Sequence, residues 1–240
     1  MTSQEPPTDR DWRKPNASSR RDGAVLTARP PSTRLIRAQE FVPGPIRLRV
    51  APILRFQGYR NIERVARPIR EAAEEMVAIA EQLVDPRIVF VRRLIERVDG
   101  EMLALREGPT FRGRCFGTHL SQAREAVCFL ATIGPALDER VAGLADAGDL
   151  LEALFLDAAG WLAIEGALRA FRVDLAWRVH RDGLRLSPRL GPGFLDWSLT
   201  EQVQFFSAFH GVSVPVTVSE YCVMTPKKSI SGLFGLIRAD

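Results

Sequence analysis

Arg189, followed by Gly191, Pro192, Gly193, Phe194 and Trp197, is the stretch of this 240-residue chain whose residue types and spacing could do chemistry. Arginine presents its N–H donors in a planar fork that grips a carboxylate through two parallel hydrogen bonds. Gly191 and Gly193 permit backbone angles and close approaches that a Cβ forbids, and Pro192 stiffens the segment between them. A stiff loop offering a guanidinium beside exposed ring faces suits a zwitterionic, partly aromatic ligand, such as an amino acid joined to a nucleoside. The same composition also serves as a tight connection carrying a surface arginine.

Such a loop needs firm elements on either side. Before it, Asp149 is placed to cap a long helix running to about Arg178, in which Leu151, Leu154, Ala158, Trp161, Leu162, Glu165 and Leu168 fall on one stripe. The stripe sets Glu165 among core residues, where a carboxylate needs a partner, and Arg169 one turn on supplies an i,i+4 pair. After the loop, Leu199 to Phe209 reads as a short amphipathic helix stopped by His210-Gly211. Val212 to Met224 alternates as a strand, with Pro215 marking an edge or a bulge.

Nearer the N-terminus, Gly58-Tyr59 forms a bend before a helix that starts around Pro68 and buries Ile69, Ala72, Ala73, Met76, Ile79, Ala80 and Leu83, ending at Asp85-Pro86. Arg87 to Val98 and Glu101 to Arg106 read as antiparallel strands joined by the Asp99-Gly100 turn. A short extended piece over Phe111 to Phe116 precedes a buried strand, Ala126 to Thr132, with Cys128 as a small core residue. The following Ile133-Gly134-Pro135 is a strand-to-helix turn, whose free N–H groups also make a potential anion seat. These elements predict an α+β fold: helices packed around a mainly antiparallel sheet, with the Arg189 loop crossing its ligand-binding face.

Composition narrows the function classes. Residues 1 to about 45 are rich in Pro, Ser, Thr and Arg, so they read as a disordered N-terminal tail before one domain over 46–240. The tail's Arg10, Arg13, Lys14, Arg20 and Arg21 solvate it or attract an acidic partner. A formal charge of +4 is modest, and with no basic run interleaved with aromatics no nucleic-acid partner is expected. No apolar run is long enough to span a bilayer, and no signal peptide is evident, so a cytoplasmic protein without membrane contact is expected. Cys115, Cys128 and Cys222 are too scattered for a zinc or iron–sulfur site, and His119, His180 and His210 show no metal spacing. No phosphate-binding G-x-x-x-x-G-K-S/T motif occurs.

Several segments carry a resemblance. The Arg189 loop is similar to the R-x-x-P-G-Y/F loop of the activation (reactivation) domain of cobalamin-dependent methionine synthase, and Asp196-Trp197-Ser198-Leu199-Thr200-Glu201-Gln202 resembles the D-W-x-L-x-x-Q continuation in its stand-alone relatives. Ile53 to Arg60, Ala131-Thr132-Ile133-Gly134, Leu156 to Gly160 with Glu165, and Met224 to Gly232 resemble further family segments in the same order, the last one following the family's final strands.

The resemblance implies a protein that binds S-adenosylmethionine and supports methionine biosynthesis by reactivating a corrinoid oxidised to cob(II)alamin. Flavodoxin or ferredoxin provides an electron, and the methyl group of S-adenosylmethionine traps the reduced cobalt. It further implies that Arg189 pairs with the ligand carboxylate, that Gly191 and Gly193 expose backbone to the ligand, and that Asp157 or Glu165 meets its positive charge. Phe194 stands where the family loop usually has tyrosine, and is expected to act as an apolar wedge that disfavours an axial water on cobalt. Lys227 and Lys228 are either solvated or help dock an acidic redox or corrinoid protein.

With no cobalamin module of its own, the chain is expected to act in trans on cobalamin carried by a separate corrinoid-binding methyltransferase, a split methionine synthase. A corrinoid-dependent demethylase as client, and a non-catalytic docking module, are the alternatives.

Overall fold

The computed structural model describes residues 38–239. Among them the chain forms strands β1 (Ala38–Phe41), β2 (Arg87–Asp99), β3 (Met102–Leu105), β4 (Thr110–Arg112), β5 (Glu125–Thr132), β6 (Leu184–Leu186), β7 (Thr217–Val218), β8 (Met224–Thr225) and β9 (Ser229–Arg238). The helices are α1 (Val50–Phe56), α2 (Arg67–Leu83), α3 (Arg114–Leu120), α4 (Ala136–Ala147), α5 (Leu150–His180) and α6 (Gln202–Phe206). The sheet runs β4-β3-β2-β5-β9-β6 with β1 also on β2, and β7-β8 is a separate ribbon. All pairings are antiparallel, so the predicted α+β architecture is the one observed.

Side chains alternate across the central strands, which divides the core in two. Phe129 and Phe234 face one way, stacked with ring centroids 5.4 Å apart, and join Ile53, Met76, Phe155, Leu168 and Phe171 beneath α1, α2, α4 and α5. Cys128, Leu130 and Leu233 face the other way, joining Phe111, Phe116, Trp197 and Phe205. Burial pushes the Cys128 thiol up to about 12, as expected of a core cysteine.

Several expectations change. Residues 1–37 of the expected tail lie outside the described residues, but Ala38–Phe41 pairs with β2, and Phe41 packs 5.6 Å from the Phe171 ring, so the ordered region begins before residue 46. Only Thr110–Arg112 of the Phe111 to Phe116 piece is extended, because Gly113 turns the chain into α3. Asp149 sits at the N-cap of α5 without a side-chain capping bond. The expected strand over Val212 to Met224 shrinks to the two-residue β7 and β8. The segment from Ser229, thought to follow the final strands, is itself central: β9 lies between β5 and β6.

The stripe drawn on α5 is also corrected. Leu151, Leu154, Trp161 and Glu165 are exposed, while Phe155, Leu156, Ala159, Ala163, Ile164, Ala167 and Phe171 are buried. A helix apolar on most of its circumference gives no periodicity from which to choose the inner face. The inner face is set by what packs on it, chiefly α2 and α4.

Candidate functional site

The Arg189 loop is anchored at both ends. At its start, Leu190 and Leu233 exchange backbone hydrogen bonds of 3.0 and 2.8 Å, extending the sheet beyond β6. Gly191 is there because the loop presses on β9: a Cβ at that position would lie 2.9 Å from the Ser231 carbonyl oxygen. Gly193 adopts φ +86°, a left-handed turn that suits glycine, and its N–H donates to the Trp197 carbonyl at 2.9 Å. The close approach made by Gly191 is therefore to the protein's own sheet.

At the far end, Asp196 accepts hydrogen bonds from the Arg114 and Cys115 N–H groups at the start of α3, at 2.5 and 3.0 Å. Desolvation acts to raise the Asp196 carboxyl, but the bonds from Cys115 and Arg114 outweigh it and hold it down at about 2. Desolvation, reinforced by Asp196, raises the Cys115 thiol to about 12. Trp197 is buried against Phe111 and Phe116, each with ring centroids 5.0 Å away, and its Nε1–H donates to Glu201 at 2.9 Å. The expectation that Trp197 offers an exposed face is thus overturned, because it is the plug that holds the loop down. Phe194 alone keeps an exposed ring, at 55%.

Between these anchors Arg189 reaches across to α5. Its Nη1 and Nη2 each lie 3.2 Å from Glu165 Oε1, and its guanidinium carbon sits 5.4 Å from the centre of the Phe194 ring. Glu165 therefore pairs with the loop arginine rather than with Arg169. The two side chains are 26% and 48% exposed, so the pair is accessible and modest in strength. Beside it opens a cavity of about 290 Å³, lined by Glu165, Leu168, Arg169, Arg172, Arg189 and Phe234. Arg169 and Arg172 make no ion pair or side-chain hydrogen bond among the described residues.

Asp157 lies elsewhere. Two helical turns before Glu165, about 12 Å along α5, it accepts a 2.5 Å bond from Lys228 Nζ. Lys228 is buried, with Asp138 at 3.9 Å and the Trp161 ring centre at 5.2 Å. Lys228 is thus neither solvated nor free to dock a partner. The turn at Gly134-Pro135 offers little as an anion seat, because Gly134 N–H donates to Thr132 Oγ1 at 3.2 Å and acidic Asp138 and Glu139 occupy the first turn of α4.

The structure thus gathers Arg189, Glu165 and Phe194, with Gly191 and Gly193 shaping the loop, and leaves Asp157 in a separate cluster. Sequence reasoning missed the part of Arg172 in the site. The signal was present: Glu165, Arg169 and Arg172 recur at i, i+4 and i+7 on one helix face. Among the described residues no group of three His, Cys, Asp or Glu side chains could hold a metal ion, and no helix is long and apolar enough to cross a membrane.

No protein-family model and no curated protein sequence matches the chain. Among solved structures it is similar to one described as the MetH reactivation domain bound to AdoHcy, with a TM-score of 0.56 and 15% sequence identity over 83% of this chain and 78% of that one. At that identity the likeness concerns architecture, and the chain shares the fold of that reactivation domain.

Proposed function

We propose that the chain binds S-adenosylmethionine at the Arg189–Glu165 pair and serves in trans as the reactivation component for cobalamin carried by a separate corrinoid protein, a split cobalamin-dependent methionine synthase. The observation that carries this reading is the placement of one guanidinium and one carboxylate side by side at the edge of a cavity. That arrangement complements an amino-acid end group, whose carboxylate and ammonium sit on one carbon. The shared fold with a domain described as bound to AdoHcy supports it independently.

The residues present fit the ligand in part by size and in part by charge. A volume of about 290 Å³ suits the amino-acid portion, at the lower end of small-molecule pockets. Arg189 exchanges its hold on Glu165 for the ligand carboxylate, and Glu165 takes the ammonium. Glu165 has this role in place of Asp157, whose charge Lys228 already meets. When bound, S-adenosylmethionine supplies a methyl group on a positively charged sulfur. Phe194, exposed and stacked on Arg189, turns an apolar face to the partner and excludes water there, the role expected of a wedge. The electron comes from flavodoxin or ferredoxin.

The test is a purified assay containing this chain, the candidate corrinoid protein, a reductant and S-adenosylmethionine labelled in its methyl group. Label arriving on cobalt only when the chain is present supports the proposal; arrival at the same rate without the chain contradicts it. Deletion of the gene separates the clients, since methionine auxotrophy marks a synthase and failure only on methylated substrates marks a demethylase.

A further inference from the structure

The cavity beside Arg189 carries more positive charge than a cationic ligand can use. Its lining holds three guanidinium groups, from Arg169, Arg172 and Arg189, against the single carboxylate of Glu165. Glu165 is taken by Arg189. Arg169 and Arg172 have no carboxylate partner among the described residues, so an excess of two positive charges faces the space. A sphere of 290 Å³ is about 8 Å across, comparable to the distance over which physiological salt screens a charge. Any group seated in the cavity therefore feels both free arginines.

We propose that this site discriminates against the charged sulfonium of the methyl donor and holds the uncharged thioether, AdoHcy, more tightly. The inference rests on the ligand reading above and deepens it. S-adenosylmethionine and AdoHcy share the same carboxylate, ammonium and adenosine, so their contacts with Arg189 and Glu165 cancel in the comparison. What differs is one methyl group and one positive charge on sulfur. The charge is repelled by Arg169 and Arg172, whereas a neutral sulfur gives them nothing to repel and suits the apolar part of the lining, Leu168 and Phe234. Repulsion between unit charges at that separation favours the thioether roughly fivefold when both arginines act. The functional consequence is regulatory: the demethylated product occupies the site after each event, and reactivation is paced by its removal.

The experiment is calorimetric titration of the purified chain with S-adenosylmethionine and with AdoHcy, at low salt and at high salt. The expected result is tighter binding of AdoHcy by roughly fivefold at low salt, shrinking towards equality near 1 M salt as screening removes the repulsion. Arg169→Gln and Arg172→Gln each lower the ratio about twofold, and the double variant removes most of it. Both residues are exposed and unpaired, so the variants should fold, and the salt series on the unaltered protein gives the same information without them. Equal affinities at low salt, tighter binding of the sulfonium, or a ratio indifferent to salt and to both substitutions would overturn the inference while leaving the ligand reading in place. Failure of both molecules to bind would remove the ligand reading, and this inference with it.

Discussion

Helix α5 carries two cation–carboxylate contacts, and they differ in how far their charges are satisfied. Towards its N-terminal half, Asp157 meets Lys228, which is 5% exposed, flanked by a second carboxylate at Asp138 and covered by the Trp161 ring. Two turns on, Glu165 meets Arg189 at the edge of a cavity where two further arginines have no partner among the described residues. The first cluster is closed: its cation is already surrounded by the groups a ligand would have to provide. The second is open, with cations in excess and a carboxylate only half-covered. Charge satisfaction thus separates the contact that fastens the start of β9 to α5 from the one the proposal gives to a ligand, although both looked equally eligible as carboxylates on one helix.

The sharpest way to break this comparison is at Lys228. In Lys228→Met the Asp157 and Asp138 carboxylates lose their shared cation, a loss expected to cost about 3 kcal/mol, less than for a wholly buried pair because Asp157 remains partly in solvent. Thermal unfolding should shift down by roughly 6–12 °C, with ligand affinity in the folded protein unchanged. A stable variant with weakened ligand binding would mean that the roles of the two clusters have been exchanged.

Gly191→Ala sharpens the comparison from the other side. Its Cβ would fall 2.9 Å from the Ser231 carbonyl oxygen, a backbone atom that cannot turn aside. The loop should lift off β9, costing about 1–2 kcal/mol and weakening ligand binding together with stability. Urea unfolding and calorimetry on the same sample would show both effects, and a loss of stability alone would detach the loop's seat from the site.

The smallest effect is expected at Asp196. Its folded-state carboxyl lies near 2, below the ordinary aspartate value of about 4. Its hold on α3 is therefore present above pH 4 and is lost as pH falls through 2. Asp196→Asn should melt slightly below the unaltered protein at pH 7, and the two melting temperatures should converge as the pH is lowered from about 4 towards 2. A gap that stays constant over that range would show that the carboxylate charge is not what fastens the loop.

The sequence disclosed the parts of the fold whose signals are local. Pro68 and Asp85-Pro86 bracket α2, Asp99-Gly100 marks the β2–β3 turn, and the apolar run ending at Thr132 is β5. The central position of β9 was hidden because Gly232 and Gly235 weaken its strand signal. Both glycines are explained only by the packed state, where a Cβ would sit 2.6 Å from the Leu190 carbonyl oxygen and 2.4 Å from Leu120 respectively. The face of α5 was misjudged for a similar reason, since the choice between two apolar faces is made by what packs against them. At the site, the residue types of the Arg189 loop were readable. The partner of Glu165 was not: Arg169 lies at the helical spacing that local reasoning favours, whereas Arg189 arrives from 24 residues away through the Leu190–Leu233 bridge.

The most direct measurement of the central claim is calorimetric titration of S-adenosylmethionine into the unaltered chain and into Arg189→Gln. Losing a charged hydrogen-bond pair to the ligand carboxylate should weaken binding by roughly 10- to 100-fold. An accessible pair such as Arg189–Glu165 is worth less than about 1 kcal/mol to stability, so the melting temperature should hardly move. Unchanged affinity in Arg189→Gln, or no binding by the unaltered chain, would contradict the account.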